Sequence, residues 1–290
     1  MNCTVVDDLP ATCATAAPAA PARVASHRCR VTAHQAVNAR YRYLRLQAEV
    51  DLVSATRPGQ FYQLRCPQTS ALQPFLLRPM SVYGTGPEAG TVEFLYAVAG
   101  TGTQALATLA EGQSMEIVGP LGQGFTLDAA ARRVLLVARG VGLATMAPLV
   151  RQAAQAGVAI DVLLSARSPA DAMARELLRG APATVHAVFD SDGSSAVDRV
   201  EPLLAGLLTA GCDAVYTCGS ERLALLLRRL LQPHPQVRAE VALEQRMACG
   251  MGVCLSCVRP FEQDGRVALQ RVCREGPVFP LREMVGGWHG

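Results

Sequence analysis

Lysine is absent from this chain of 290 residues: all 27 basic side chains are arginine, against 24 acids, for a formal net charge of +3. Arginines scattered among a near-equal number of acids build no basic face, so nucleic acid is not an expected partner and an Ala/Arg/Leu-rich coding bias explains the composition. Charge is scarce, at 18% of residues, and aromatics make up only 5%. Half of the residues are hydrophobic, which suits a globular chain and not a disordered one. Long apolar runs are also missing. None reaches the roughly 18 to 20 residues that a membrane span needs. The start, MNCTVVDDLPATCATAAPAAPARV, has neither a basic opening nor a continuous apolar core, so no secretory leader is expected and the location is read as cytoplasmic. Its Ala/Pro/Thr bias reads as a flexible tail over residues 1–23. The remaining length allows two domains and a small module.

Cysteine is plentiful, with ten in the chain. Without a leader they are not expected to pair as disulfides. Cys3, Cys13, Cys29, Cys66, Cys212 and Cys218 are dispersed and read as incidental or as small buried apolar residues. The other four follow the order Cys249-x4-Cys254-x2-Cys257-x15-Cys273. Zinc ribbons show two C-x2-C pairs, whereas C-x4-C-x2-C…C is the plant-type [2Fe–2S] order. Gly250 and Gly252 let the loop backbone pass close to inorganic sulfur and aim N–H groups at it. The spacing favours a [2Fe–2S] cluster; a tetracysteine zinc site and unrelated thiols are the alternatives.

The periodicity divides the chain into three. Over residues 24–128, YRYLRLQAEV (41–50), QFYQLR (60–65) and TVEFLYAV (91–98) alternate as strands, separated by glycine and proline turns, which predicts a small antiparallel β-barrel. Over 129–236, a continuous apolar strand at 132–138, a second buried strand at 158–166 and further strands at 183–189 and 214–219 alternate with helix patterns, which predicts a doubly wound parallel α/β sheet. Regularity is expected to end near QPHPQ. Residues 237–290 are too few to bury a core alone, so a bound inorganic centre would have to order them.

Two turns in the α/β region suit a dinucleotide. LVARGVGLATMAP (136–148) follows the first buried strand and opens a helix, and Gly140 and Gly142 permit close approach of a pyrophosphate. An ordinary tight β–α turn is the alternative. CGSERL (218–223) ends the strand taken as the last parallel one, which places Cys218 and Gly219 at the ligand-binding edge, with Ser220 also suited to cap a helix. In the barrel, Arg78 and Ser81 of RPMS could grip a phosphate and a flavin edge, or lie at the surface.

Taken together, RPMS, GTGT, GPLGQGF, the glycine-turn α/β region, CGS and LEQRMACGMGVCLSCV…RVCREGPVF resemble the electron-transfer subunits of dihydroorotate dehydrogenase, from about residue 24 onward. The resemblance implies a ferredoxin-reductase-like fold with FAD in the barrel, NAD on the α/β domain and a [2Fe–2S] cluster near the C-terminus. It implies that Arg78, Pro79, Met80 and Ser81 contact FAD, that Leu95, Tyr96 and Ala97 flank the flavin, and that Gly102 and Thr103 hold its phosphates. The cluster ligands would be Cys249, Cys254, Cys257 and Cys273. It further implies a catalytic flavoprotein partner in a heterotetramer, with no side chain of this chain acting as acid or base on the organic substrate. The chain departs from the family at Arg139, which stands at a glycine position, at Ala97 in place of arginine, at Thr101 in place of lysine, and in about two extra residues before Pro148.

Two rival functions are weighed against this one. The first is an NADH-dependent reductase that feeds another partner: an oxygenase, a hydrogenase or a dihydropyrimidine-type enzyme. The second is a non-catalytic metal-binding regulatory module. Arg167, in SARS at the end of the second parallel strand, could accept the 2′-phosphate of NADP or be merely solvated.

Overall fold

The structure, a computed structural model, describes residues 24–173, 178 and 180–287. Cys3 and Cys13 lie outside the described residues, as does the tail over 1–23. Seven strands form the first sheet: β1 (Ala25–Ala36), β2 (Tyr41–Gln47), β3 (Phe61–Leu64), β4 (Arg78–Ser81), β5 (Gly84–Gly86), β6 (Thr91–Ala97) and β7 (Ser114–Leu121). Their order is β4-β3-β7-β1-β2-β6-β5, and every pairing is antiparallel. The sheet curls into a half-barrel around Leu44, Leu46, Tyr62, Phe94, Tyr96 and Leu106. Strand β2 ends at Gln47, short of the expected Val50, because Val50 opens the short helix α1 (Val50–Ser54). A second short helix, α2 (Thr101–Leu106), follows β6.

The other half alternates as its apolar runs predict. Here β8 (Arg133–Arg139), β9 (Ala159–Ala166), β10 (Thr184–Phe189) and β11 (Ala214–Cys218) are joined by α3 (Gly142–Gln155), α4 (Val197–Thr209) and α5 (Glu221–Leu230). Ser220 caps α5 through its hydroxyl, which accepts from Leu223 N at 3.3 Å. The helix expected over 168–180 begins as one 3₁₀ turn at Pro169–Asp171, and residues 174–177 and 179 lie outside the described ones.

Two expectations are corrected. β11 is not the last parallel strand: β12 (Arg238–Ala242) runs parallel beside it. Nor does regular structure end after residue 236. The sheet order is β10-β9-β8-β11-β12-β15, and β15 (Val278–Pro280) returns antiparallel onto β12. The cysteine segment therefore starts and finishes on the α/β sheet, which anchors both of its ends. Buried Glu240 disguises β12 in the sequence; its carboxylate is satisfied by Arg238 at 2.7 Å and by Thr126 N at 2.9 Å. Between the anchors, β13 (Val258–Gln263) and β14 (Arg266–Arg271) form a hairpin whose turn, Asp264–Gly265, has φ of 50° and 72°, as a type I′ turn needs. Among the described residues no helix is long and apolar enough to cross a membrane.

Candidate functional site

The barrel edge and the α/β sheet meet over a cavity of about 250 Å³. Pro79, Met80 and Ser81 of β4 line one side, and Leu95, Tyr96 and Ala97 of β6 line another. The structure thus brings together six residues from two separate motifs. Tyr96 is buried, and its hydroxyl meets His34 Nε2 at 2.8 Å. His34 Nδ1 lies 2.8 Å from the Leu109 carbonyl, which can only accept, so Nδ1 carries the proton and Nε2 accepts from Tyr96. Burial lowers the pKa of His34 and keeps this neutral form.

Arg78, Gly102 and Thr103 gather at a second point. A Cβ on Gly102 would stand 2.2 Å from Arg78 Nε, so the guanidinium lies flat over the first turn of α2. Arg78 Nη1 donates to the Leu76 carbonyl at 2.7 Å. Thr103 Oγ1 accepts from Ala99 N at 2.9 Å and Gly100 N at 3.0 Å, so its hydroxyl shapes the turn. A planar fork above a helix start lined by glycine is a chemical match for a phosphate.

A further cavity, about 230 Å³, opens over the carboxyl edge of the α/β sheet and holds Gly140 and Gly219 on its wall. Gly142 packs so tightly that a Cβ would come within 2.7 Å of the Cys218 backbone, and Gly219 has φ of +95° with Arg139 O 2.2 Å from its Cβ position. Cys218 is buried below this turn, and burial pushes its thiol pKa up. Arg139 reaches across the tips of β9 and β10, donating to Ser165 Oγ at 2.7 Å and to both carboxylate oxygens of Asp190. These bonds, with one from Ser195, hold the Asp190 carboxyl down at about 2. The charge that Arg139 adds to the turn is thereby paired. Arg167 also lines this cavity, with no side-chain partner among the described residues. Sequence reasoning missed Glu244, which lines both cavities from the strand end after β12, as well as Thr145 and Met247 of the first.

The four cysteines form two pairs. Cys249 and Cys254 lie on the outer side and their thiols interact; Cys257 and Cys273 are buried, and Cys273 N donates to Cys257 Sγ at 3.4 Å. Among the described residues no three His, Cys, Asp or Glu side chains surround one point as a single ion requires. Two thiol pairs suit two irons bridged by sulfide better than one tetrahedral zinc. Gly250 (φ 71°), Gly252 (φ 84°) and Leu255 (φ 61°) turn the loop, and Arg271 Nη1 braces it by donating to Gly252 O at 3.0 Å.

The two pairs differ electrostatically. Bonds from the Ser256 hydroxyl and backbone bring exposed Cys254 down to about 6, while burial drives Cys273 up to about 12. At pH 7 the cluster-free chain should therefore carry a thiolate at Cys254, and iodoacetamide should label it first. Peptide mass spectrometry is expected to show Cys254 alkylated well before Cys273 or Cys218. Loading with iron and sulfide should suppress that labelling.

A curled antiparallel sheet joined to a 3-2-1-4-5 parallel sheet, with a cavity at the junction, defines a ferredoxin-reductase-like fold. The solved NADH-dependent reduced ferredoxin-NADP oxidoreductase shares it, with a TM-score of 0.72 over 88% of both chains at 24% identity. So does the ferredoxin reductase of carbazole 1,9a-dioxygenase, with a TM-score of 0.60 over 77% of this chain and 70% of that one at 21% identity. The family model for the iron-sulfur cluster binding domain of dihydroorotate dehydrogenase B matches residues 244–285. The chain is 33% identical over 260 residues to the electron transfer subunit of dihydroorotate dehydrogenase B (NAD(+)) from Enterococcus faecalis, covering 88% of this chain and 96% of that one. It is 32% identical over 232 residues to the corresponding subunit from Shouchella clausii, covering 79% and 87%. The chain belongs to the family of electron transfer subunits of dihydroorotate dehydrogenase B.

Proposed function

We propose that this chain carries electrons between a catalytic dihydroorotate dehydrogenase subunit and NAD⁺, through a [2Fe–2S] cluster and FAD. The observation that carries this is a shared wall: Leu243, Met247 and Pro277, which flank the cysteine segment in sequence, also line the cavity of Pro79–Ser81 and Leu95–Ala97. FAD converts single electrons to hydride and the cluster relays them singly. The protein's own task is placement. Pro79, Met80, Ser81 and the 95–97 strand hold the flavin ring, while Arg78 over Gly102 and the turn shaped by Thr103 hold its pyrophosphate. Gly140 and Gly219 present a bare edge to the nicotinamide dinucleotide, and Gly142 packed against the buried Cys218 sets the turn that carries them. Cys249, Cys254, Cys257 and Cys273 hold the cluster. No side chain serves as acid or base on dihydroorotate.

The partner's approach is read from the exposed apolar residues around Cys254. Met251, Val253 and Leu255 are exposed, as are Val267 and Leu269 on the hairpin that links Cys257 to Cys273. Apolar side chains clustered at an exposed site mark a protein contact, here with the catalytic subunit in a cytoplasmic heterotetramer. Assays on anaerobically purified protein test this: about two irons, two sulfides and one FAD per chain are expected. NADH should reduce ferricyanide without the partner, and dihydroorotate should not. Zinc without flavin, or dihydroorotate oxidation by the pure chain, would sink the proposal.

A further inference from the structure

Gln63 sits in the middle of β3 with no exposed surface, and both its Nε2 and its Oε1 lack a hydrogen-bond partner among the described residues. A buried primary amide with neither end satisfied is rare in a folded protein and points to a missing ligand group. Its location says which. A Cβ built on Gly250 would stand 2.4 Å from Gln63 Nε2, so the amide presses on the cysteine loop one residue past Cys249. Phe61, two residues earlier on the same face of β3, lines the 250 Å³ cavity and packs in one apolar cluster with Cys257 and Cys273. Gln63 therefore lies where the flavin half of the molecule meets the cysteine loop.

We infer that the Gln63 amide donates a hydrogen bond to sulfur of the cluster, on its barrel side, and so raises the cluster's reduction potential. The inference rests on the iron–sulfur reading above. Inorganic sulfide and the full set of charged thiolates are anionic acceptors that this loop holds only once the cluster is bound, and an N–H group is the complement that the barrel supplies. Gaining one electron makes the cluster more negative and strengthens an N–H···S bond, so the donor favours the reduced form. No proton moves and no covalent bond changes. Gln63 is a positioning and tuning residue, not a catalytic one.

The test uses the full chain loaded with FAD, iron and sulfide, titrated under EPR. Gln63→Met keeps the volume and removes the amide. At a fixed poise, the ratio of reduced to oxidised cluster should fall about tenfold, equivalent to about 59 mV for a one-electron couple, with the flavin potential unmoved. An unchanged cluster potential in a fully loaded variant overturns the inference. So does a shift confined to the flavin. If Gln63→Met does not fold, wild-type protein labelled with side-chain ¹⁵N-glutamine decides: a ¹⁵N coupling to the reduced cluster supports the bond, and its absence removes it. A wild-type chain that binds no iron sinks the iron–sulfur reading itself, and this inference with it.

Discussion

Cys273→Ser is expected to reduce partner-dependent NAD⁺ reduction by at least about 100-fold, since even groups that only support a metal ligand are worth 10- to 100-fold. NADH oxidation by ferricyanide should stay within about twofold of wild type. The first effect follows from burial. Cys273 is 2% exposed and its thiol is pushed up to about 12, so only a bound metal draws off its proton. A serine hydroxyl is harder to deprotonate and a harder donor than iron prefers. The second effect follows from the anchors. β15 stays paired with β12, and Leu243 N donates to Pro277 O at 2.9 Å, so the cavity wall formed by Leu243 and Pro277 does not depend on the cluster. Iron content, FAD content and both rates would be measured on one preparation. Loss of FAD together with iron would show that the cysteine segment supports the barrel cavity as well as the relay.

What the sequence made legible is what short-range pattern encodes. β8, β9 and β11 appear as mostly apolar runs, broken only by Asp161, Ser165 and Thr217, because both faces of a parallel sheet are covered. The cysteine order reveals its chemistry because the ligand loop is local. β1 carries a weak signal: in ASHRCRVTAHQA only Cys29 and Val31 are buried, set between exposed Arg28 and Arg30 and followed by half-buried Thr32. β12 escaped because its five residues include a charged pair, and only the fold shows Glu240 buried against Arg238. The Asp264–Gly265 pair between two strand-like runs is a hairpin signal legible in the sequence itself. Gln63 and Glu244 were invisible for a deeper reason. One polar residue on a strand or at its end carries no pattern, and its meaning comes from distant segments packed against it. Arg139 is of the same kind: a departure visible in the sequence, whose partner Asp190 is 51 residues away.

Arg78→Ala is expected to weaken FAD binding by about 100-fold or more, because removing one partner of a desolvated charge pair costs about 2–5 kcal/mol. The apo fold should survive, since Arg78 is only half-buried and its backbone pairs with Leu64 whatever the side chain. One guanidinium edge is taken by the Leu76 carbonyl, which fixes the plane; the rest lies over Gly102. Arg78→Lys keeps the charge but not the fork, so it should fall between wild type and alanine. Gly102→Ala tests the geometry without touching the charge. Gly102 does not have a positive φ, so alanine meets no backbone strain, but its methyl would collide with Arg78 Nε at 2.2 Å and displace the guanidinium. Gly102→Ala should therefore lose FAD nearly as badly as Arg78→Ala. The double variant should be little worse than either alone, the non-additivity expected of two residues forming one contact. Flavin fluorescence titration of the apo variants measures all four, with iron content as the control for an intact cysteine loop. Full FAD occupancy in Arg78→Ala would move the pyrophosphate elsewhere in the barrel, whereas FAD loss in Gly102→Ala alone would assign the helix start, not the arginine, as its holder.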